Sequence, residues 1–584
     1  MMPRMTDHRP WFASYALDVA KTLEPYPRES LFALLEAAAG RHPDLPAVAW
    51  FGKHVTYRQL LDEVERCSAV LSGLGVGKGD RVAMIVPNSP PYLIAYYAAQ
   101  RLGAIAVGNN PLYTKREMEH QLRDAEPKVV LIADLLYQDF ADVLHAIQGA
   151  TVIVTRLNDY MPPIKKVLAP IAVFRKQQKA AGKPWPPVPK DAAVIRWHEA
   201  MRSPGPVPPV ATVDPANDVA VLIYTGGTTG IAKGAMLSHH NITSNARQAT
   251  AWISGIEDGK DSMLCALPFF HSYGMLAMNV GVLNAMKLIP VPNPRDLHMV
   301  LELIHKEHAT IFPGVPRLYV AINEHPQTPK FDLKSIKACV SGAAPLPLAV
   351  AKEFERVTEG GQLVEGYGLT ECSPVTHANP FNGVRKPGHI GLPIPDTDVR
   401  IMSLDDPDQE MPTGEAGELC IKGPQVMLGY WHRPEETALM IRNGWLHTGD
   451  VAVMDDQGYF KIVDRLKDMI LVSGFNVYPN EVEDVLYHHP AISKCAVIGV
   501  PDDRTGERVK VFVVLKEGAH LTGDELIAWC RDPEQGLTGY RVPHEVEFRD
   551  ALPETMVGKV LRRVLQDEER IKREAAGTAA PSAP

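Results

Sequence analysis

Hydrophobic positions in the first third of the chain alternate between two spacings. After Ser30, Leu31-Phe32-Ala33-Leu34-Leu35 opens a helical pattern, and from Thr56-Tyr57-Arg58-Gln59-Leu60 apolar residues recur at helical spacing to Leu71. Arg81–Val86 reads as a strand stopped by Pro87, Tyr92–Leu102 as a helix, and Ala104–Val107 as a short apolar run. Val129-Val130-Leu131-Ile132 and Thr151-Val152-Ile153-Val154 extend the rhythm. Strand, helix, strand in this order predicts an α/β sheet with crossover helices. Residues 1–27, mixed and proline-bearing, predict an arm that is packed on the surface or partly mobile.

The rhythm stops between Met161 and Lys190. That stretch carries Lys165, Lys166, Arg175, Lys176, Lys179, Lys183 and Lys190 without an acid, and apolar residues stand between them. It is read as a solvated, proline-rich insertion. The alternative is an interfacial segment whose cations sit on anionic lipid. Further on, Val219–Ile223 is a β-branched run expected as a buried strand, Ala235–Leu237 a short strand, and Asn241 a cap for a following helix. Met275–Val291 is largely small or apolar, which suits a hydrocarbon tunnel and equally a core helix. Near the end, a helix from Pro479, strands at Cys495–Val500 and Val509–Leu515, and a helix after Thr522 with Glu525 as capping-box partner predict an α+β domain. The last stretch, 566–584, is charged and then Ala/Pro/Ser-rich, and is expected to fray.

At 584 residues the chain is too long for one ordinary core. A net charge of −9 speaks against nucleic acid as the main partner. Its seven cysteines are scattered without a C-x-x-C pair, as expected of reduced thiols in a cytoplasmic enzyme. No apolar run approaches the ~20 residues of a membrane span, and no secretory signal is expected.

Candidate chemistry concentrates after the Val219–Ile223 run, in Tyr224-Thr225-Gly226-Gly227-Thr228-Thr229-Gly230-Ile231-Ala232-Lys233-Gly234. Glycines let backbone N–H groups approach an anion, and threonine hydroxyls and Lys233 add donors: a phosphate cradle. It is not a Walker A loop, which needs Gly-Lys followed by Ser or Thr. The bland reading is a polar turn joining two strands. A second motif is Val364-Glu365-Gly366-Tyr367-Gly368-Leu369-Thr370-Glu371, combining an aromatic face, a hydroxyl and a carboxylate. A third is Trp445-Leu446-His447-Thr448-Gly449-Asp450.

Together these motifs resemble the adenylate-forming superfamily of acyl-CoA synthetases, luciferases and peptide-synthetase adenylation domains, from about Ser30 to about Leu565. The loop is similar in particular to that of bacterial long-chain fatty acid CoA ligases. Gly226 and Ala232 depart from the Ser and Pro of most of the superfamily. The resemblance implies a large N-terminal domain over 1–466 (two α/β subdomains plus a distorted β-barrel that includes Gly417–Gly423 and Val426–Trp431), carrying the basic insertion 161–190. It also implies a smaller mobile α+β domain over 467–565, with 566–584 as the tail.

It further implies activation of a long-chain fatty acid with ATP, Mg2+ and coenzyme A through an acyl-AMP intermediate. Thr225, Gly226, Gly227, Thr228, Thr229, Gly230 and Lys233 would hold the phosphates. Gly342, Ala343, Ala344, Glu365, Gly366, Tyr367 and Gly368 would receive adenine, and Asp450 with Arg465 the ribose. Thr370 would meet the α-phosphate, Glu371 would hold Mg2+, and His271 would stand where carboxylate and α-phosphate meet. Lys559 would bridge the two. Lys467 would be the hinge, and Gly474 would arrive with coenzyme A. Peripheral contact with anionic lipid on the cytoplasmic face of the inner membrane and a homodimer both stay open. Rival readings are a medium-chain or aryl acid CoA ligase, a fatty acyl-AMP ligase, and a non-catalytic nucleotide-binding scaffold.

Overall fold

The computed structural model describes residues 9–165, 194–226, 232–406, 408–473, 475–502, 504–532, 537, 539–554 and 560–575. By compactness the chain forms two units, residues 1–398 with 422–446, and residues 399–421 with 447–584.

The first unit is built on an eight-stranded sheet. Five parallel pairings join Val194–Arg196, Thr151–Thr155, Val129–Ala133, Arg81–Ile85, Ile105–Gly108 and Val219–Gly226. Parallel strands covered on both faces need near-continuous apolar runs, and Val129–Ala133 is buried at every position. Between these strands run the helices Pro90–Arg101, Lys115–Ala125 and Asp134–Ala146. Thr114 opens the second of them in a capping box with Glu117. The sheet ends in antiparallel strands, Ala232–Ser238 and then Gly429–Tyr430.

A second set of strands brings Pro46–Trp50, Ser262–Cys265 and Lys287–Pro290 into one sheet, and isolated bridges at Ile311 lead on to Ala338–Ser341 and Gln362–Gly368. The helix Ser272–Leu283 is buried from Met275 to Val282. Met275–Val291 is therefore a core helix followed by a strand. Between this helix and the parallel sheet, Tyr92, Tyr96, Phe269, Phe270 and Met275 among others line an apolar crevice too narrow to admit a water molecule.

Two local expectations change in this unit. Asn241 does not cap its helix: the strand runs on to Ser238, which is the N-cap, and Asn241 is its capping-box partner three residues later. Val426–Trp431 leaves the expected barrel, because Gly429–Tyr430 pairs with Ala235–Met236 at the sheet edge and the Met427 N–H donates to the Glu371 carbonyl. The described part of the arm is packed down, with Trp11 buried and the Tyr26 hydroxyl and Leu23 N–H both donating to Asp396.

The second unit pairs Gly417–Lys422 and Phe460–Arg465 with Trp445–Met454, and adds a five-stranded sheet covered by helices. Thr522 and Glu525 form the expected capping box. The frayed tail does not start at 566. A helix spans Arg562–Ala575, buries Leu565 against Ile498 and Phe512, and ties Glu569 to the nearly buried Lys510 at 2.6 Å. Charged composition signalled fraying, yet here each inward charge meets an opposite one. The basic insertion lies outside the described residues from 166 on.

Candidate active site

Thr225 and Lys233 face each other across the antiparallel strands that flank the glycine loop, and Gly226 pairs with Ala232. Gly227, Thr228, Thr229 and Gly230 lie outside the described residues. The Lys233 side chain is 11% exposed; its ammonium stands 3.6 Å from Glu436 and 5.5 Å over the Tyr430 ring. A cation held over an aromatic face at the mouth of a glycine loop is placed for an anion.

Tyr430 connects this loop to the second motif. Its hydroxyl donates a 2.6 Å hydrogen bond to Oε1 of Glu371, and both residues are buried. Burial and the adjacent carboxylate drive the Tyr430 pKa far up, so the hydroxyl stays a donor. Glu371 is carried by a 3-10 turn, Thr370–Cys372, directly after the strand Gln362–Gly368. Thr370 Oγ1 lies 3.2 Å from Ser272 Oγ, which brings the turn at His271 to the same place.

His271 caps the buried helix, its Nδ1 accepting from the Tyr273 N–H at 3.3 Å. The ring is open to water yet set in a recess crowded by protein, and that desolvation lowers its pKa. Tyr273 then locks the helix to the strand Ala338–Ser341, donating to the Val340 carbonyl at 2.8 Å. Gly342 is needed there, because a Cβ at that position would stand 2.9 Å from the Tyr273 ring. Ala343 follows with φ +70°, a left-handed conformation uncommon for a residue bearing a side chain.

Glu365 is buried, accepts from the Leu346 N–H at 3.2 Å, and is pushed up to about 7 by desolvation. Gly366, Tyr367 and Gly368 complete the strand, with the Tyr367 ring edge-on to His377. The first unit therefore gathers Thr225, Gly226, Lys233, His271, Gly342–Ala344, Glu365–Gly368, Thr370 and Glu371 on adjoining strand ends and turns.

The second unit holds the remaining described candidates. Asp450 is 2% exposed, and Arg465, directly opposite it on the neighbouring strand, donates from Nε to Oδ1 at 2.8 Å. Lys467 is exposed in a one-turn 3-10 segment, Leu466–Asp468. Around that segment Asp464 accepts from the Asn480 N–H at 2.7 Å, and Arg562 reaches Glu483 at 2.7 Å and Asp468 at 3.5 Å. Gly474 and Lys559 lie outside the described residues.

The sequence reading missed Tyr430, Ser272, Tyr273, Asp464 and Arg562 as site-building residues. Each acts through a partner distant in sequence, and no local spacing signals such a pair.

The AMP-binding enzyme family matches residues 35–431, and the AMP-binding enzyme C-terminal domain matches 481–559. The chain belongs to the AMP-binding enzyme family. Within that family, a long-chain-fatty-acid–CoA ligase of Bacillus subtilis (strain 168) is 43% identical over 567 residues, covering 97% of this chain and 99% of the other. A feruloyl-CoA synthase of an Amycolatopsis species is 37% identical over 521 residues, covering 89% and 95%. The crystal structure of ATP-bound MatB from Rhodopseudomonas palustris matches with a TM-score of 0.78 at 31% identity, covering 93% and 99%.

Proposed function

We propose that this AMP-binding enzyme activates long-chain fatty acids to their CoA thioesters through an acyl-AMP intermediate, releasing AMP and pyrophosphate. The observation that carries the reading is the end-to-end likeness to the long-chain-fatty-acid–CoA ligase, at 43% identity over 97% of the chain.

In the first half-reaction the fatty carboxylate attacks the α-phosphorus of ATP, and the bond to pyrophosphate breaks. Two anions must meet, so the residues' work is to align them and neutralise charge. Lys233 and Thr225 to Thr229 hold the departing phosphates, and Lys559 bridges the carboxylate and the α-phosphate. His271, kept neutral by its recess, adds no second positive charge and can orient the carboxylate through a hydrogen bond. Gly342–Ala344 and Glu365–Gly368 form the adenine site, Asp450 accepts the ribose hydroxyls, and Arg465 fixes the Asp450 carboxylate.

The residues present suit Mg2+. Glu371 offers one buried carboxylate, oriented by Tyr430, and Mg2+ is bound by one or two carboxylates together with substrate phosphates. When bound, the ion supplies positive charge at the phosphate oxygens.

In the second half-reaction the CoA thiol attacks the acyl carbon and AMP leaves. Rotation about Lys467 withdraws Lys559 and brings Gly474 with the thiol, so that one pocket serves two reactions. The domain boundary at 466/467 is part of this proposal. The segment after His271, beside the crevice at Met275, lines the acyl site. Residues 161–190 are read as a solvated insertion, with contact to anionic lipid as the second reading.

A second substrate reading, an aryl acid, draws on the likeness to the feruloyl-CoA synthase. The test of the proposal is exchange of labelled pyrophosphate into ATP on adding palmitate without CoA, followed by thioester and AMP formation once CoA is supplied. Exchange that never leads to thioester would make the chain a fatty acyl-AMP ligase. No exchange with any acid would leave a nucleotide-binding scaffold.

A further inference from the structure

Gly417–Lys422 and Trp445–Met454 are neighbouring strands, and they bring together a group of side chains the reaction above does not use. Glu418 and Cys420 are two residues apart on one strand, so they project from the same face. His447 reaches them from the other strand. Its Nδ1 lies 2.8 Å from Glu418 Oε2 and 3.3 Å from Cys420 Sγ, and one donor atom from each residue falls within 4.8 Å of the others. Cys420 is 1% and His447 8% exposed.

We propose that Glu418, Cys420 and His447 form a binding site for one thiophilic divalent cation, of which Zn2+ is the natural candidate. One sulfur, one imidazole nitrogen and one carboxylate oxygen are the donors Zn2+ takes, with metal–ligand bonds of roughly 2.0–2.3 Å. Tetrahedral angles at those lengths put donors about 3.5 Å apart. The present contacts of 2.8 and 3.3 Å therefore need only to open by a few tenths of an ångström to about one. A thiolate selects against Mg2+, so this site is chemically separate from Glu371. Three protein ligands leave a fourth position for water.

The strands are already held for this purpose. Glu418 Oε1 accepts the Gly449 N–H at 3.1 Å, and the Thr448 hydroxyl donates to the Leu419 carbonyl at 2.7 Å, so the carboxylate and imidazole are oriented before a metal arrives. On binding, the Cys420 thiol proton leaves to solvent. The imidazole presents Nδ1 without its proton, carrying any proton on Nε2. Asp450 lies three residues beyond His447 on the same strand.

The test uses the full chain, stripped with a chelator and titrated with Co2+ as the spectroscopic probe and with Zn2+ in competition. The expected result is a thiolate-to-cobalt charge-transfer band saturating at one equivalent and displaced by Zn2+, with protons released to a weakly buffered solution. Cys420→Ser should abolish the band, and Glu418→Gln should weaken binding by tenfold or more. Absence of any thiolate band in the unsubstituted chain would overturn the site, whatever the variants do. Survival of the full band in a folded Cys420→Ser chain would also overturn it, assigning the thiolate to another of the seven cysteines.

Discussion

Replacing Tyr430 with Phe removes one oxygen and nothing else from the junction of the glycine loop and the second motif. The lost contact is the 2.6 Å hydrogen bond to Glu371 Oε1, made between buried groups. Hydrogen bonds to charged partners contribute roughly 1.5–3 kcal/mol. If that energy fixes the carboxylate where the α-phosphate reacts, the adenylation rate should fall roughly 10- to 150-fold, at about 1.36 kcal/mol per decade. The ring itself stays, so the cation–π contact with Lys233 is preserved and phosphate binding should change little. The assay is pyrophosphate exchange with palmitate across a range of Mg2+ concentrations. The variant should need more Mg2+ for half-maximal exchange, while transfer of ready-made acyl-AMP to CoA stays within a few-fold of normal. Exchange within twofold of the parent at every Mg2+ concentration would refute the role given to Tyr430 and weaken that given to Glu371.

Lys559→Ala should cut adenylation by ~10²–10³ or more, as for loss of a preorganised charge-stabilising donor, and leave thioester formation from acyl-AMP near normal. Lys467→Pro should do the reverse, because proline fixes the backbone torsion that the hinge must change; equal loss of both steps in both variants would remove the hinge. Glu365→Gln tests the buried carboxyl. Its folded pKa, raised from 4.5 to about 7, means that ionisation disfavours the folded state, with no penalty below about 4.5 and the full penalty, about 3 kcal/mol, above about 7. Urea unfolding should therefore show the variant gaining on the parent between pH 5 and 8; a difference that does not move with pH would contradict the raised pKa. Deleting 161–190 should weaken binding to anionic vesicles if the interfacial reading is right, with turnover on a short soluble acid intact; unchanged vesicle binding would leave that stretch a solvated insertion.

The parallel sheet was legible because strands covered on both faces must be apolar throughout, as Val129–Ala133 and Val219–Ile223 are. The Thr522 capping box was legible for a similar reason: its partners lie three residues apart, and local chemistry decides it. The cap at Ser238 was misplaced because a polar Asn three residues later fits a cap equally well until the strand's length is known. The helix Arg562–Ala575 was hidden because its stability comes from Lys510 and the strands beneath, far away in sequence. The site shows the same split. Glu371, Asp450 and Arg465 are candidates because the motifs in their own segments resemble those of a known family. Tyr430, Tyr273 and Arg562 could not be found that way, because each matters only through a contact the fold creates.

The account stands or falls on which acid the site activates. CoA-dependent AMP formation, measured on the full chain across saturated acids from acetate to stearate and on ferulate and cinnamate, tests this directly. The account predicts a rate that rises with chain length to a maximum among long chains, with palmitate well above either aromatic acid. A maximum at ferulate or cinnamate with palmitate inactive would contradict it.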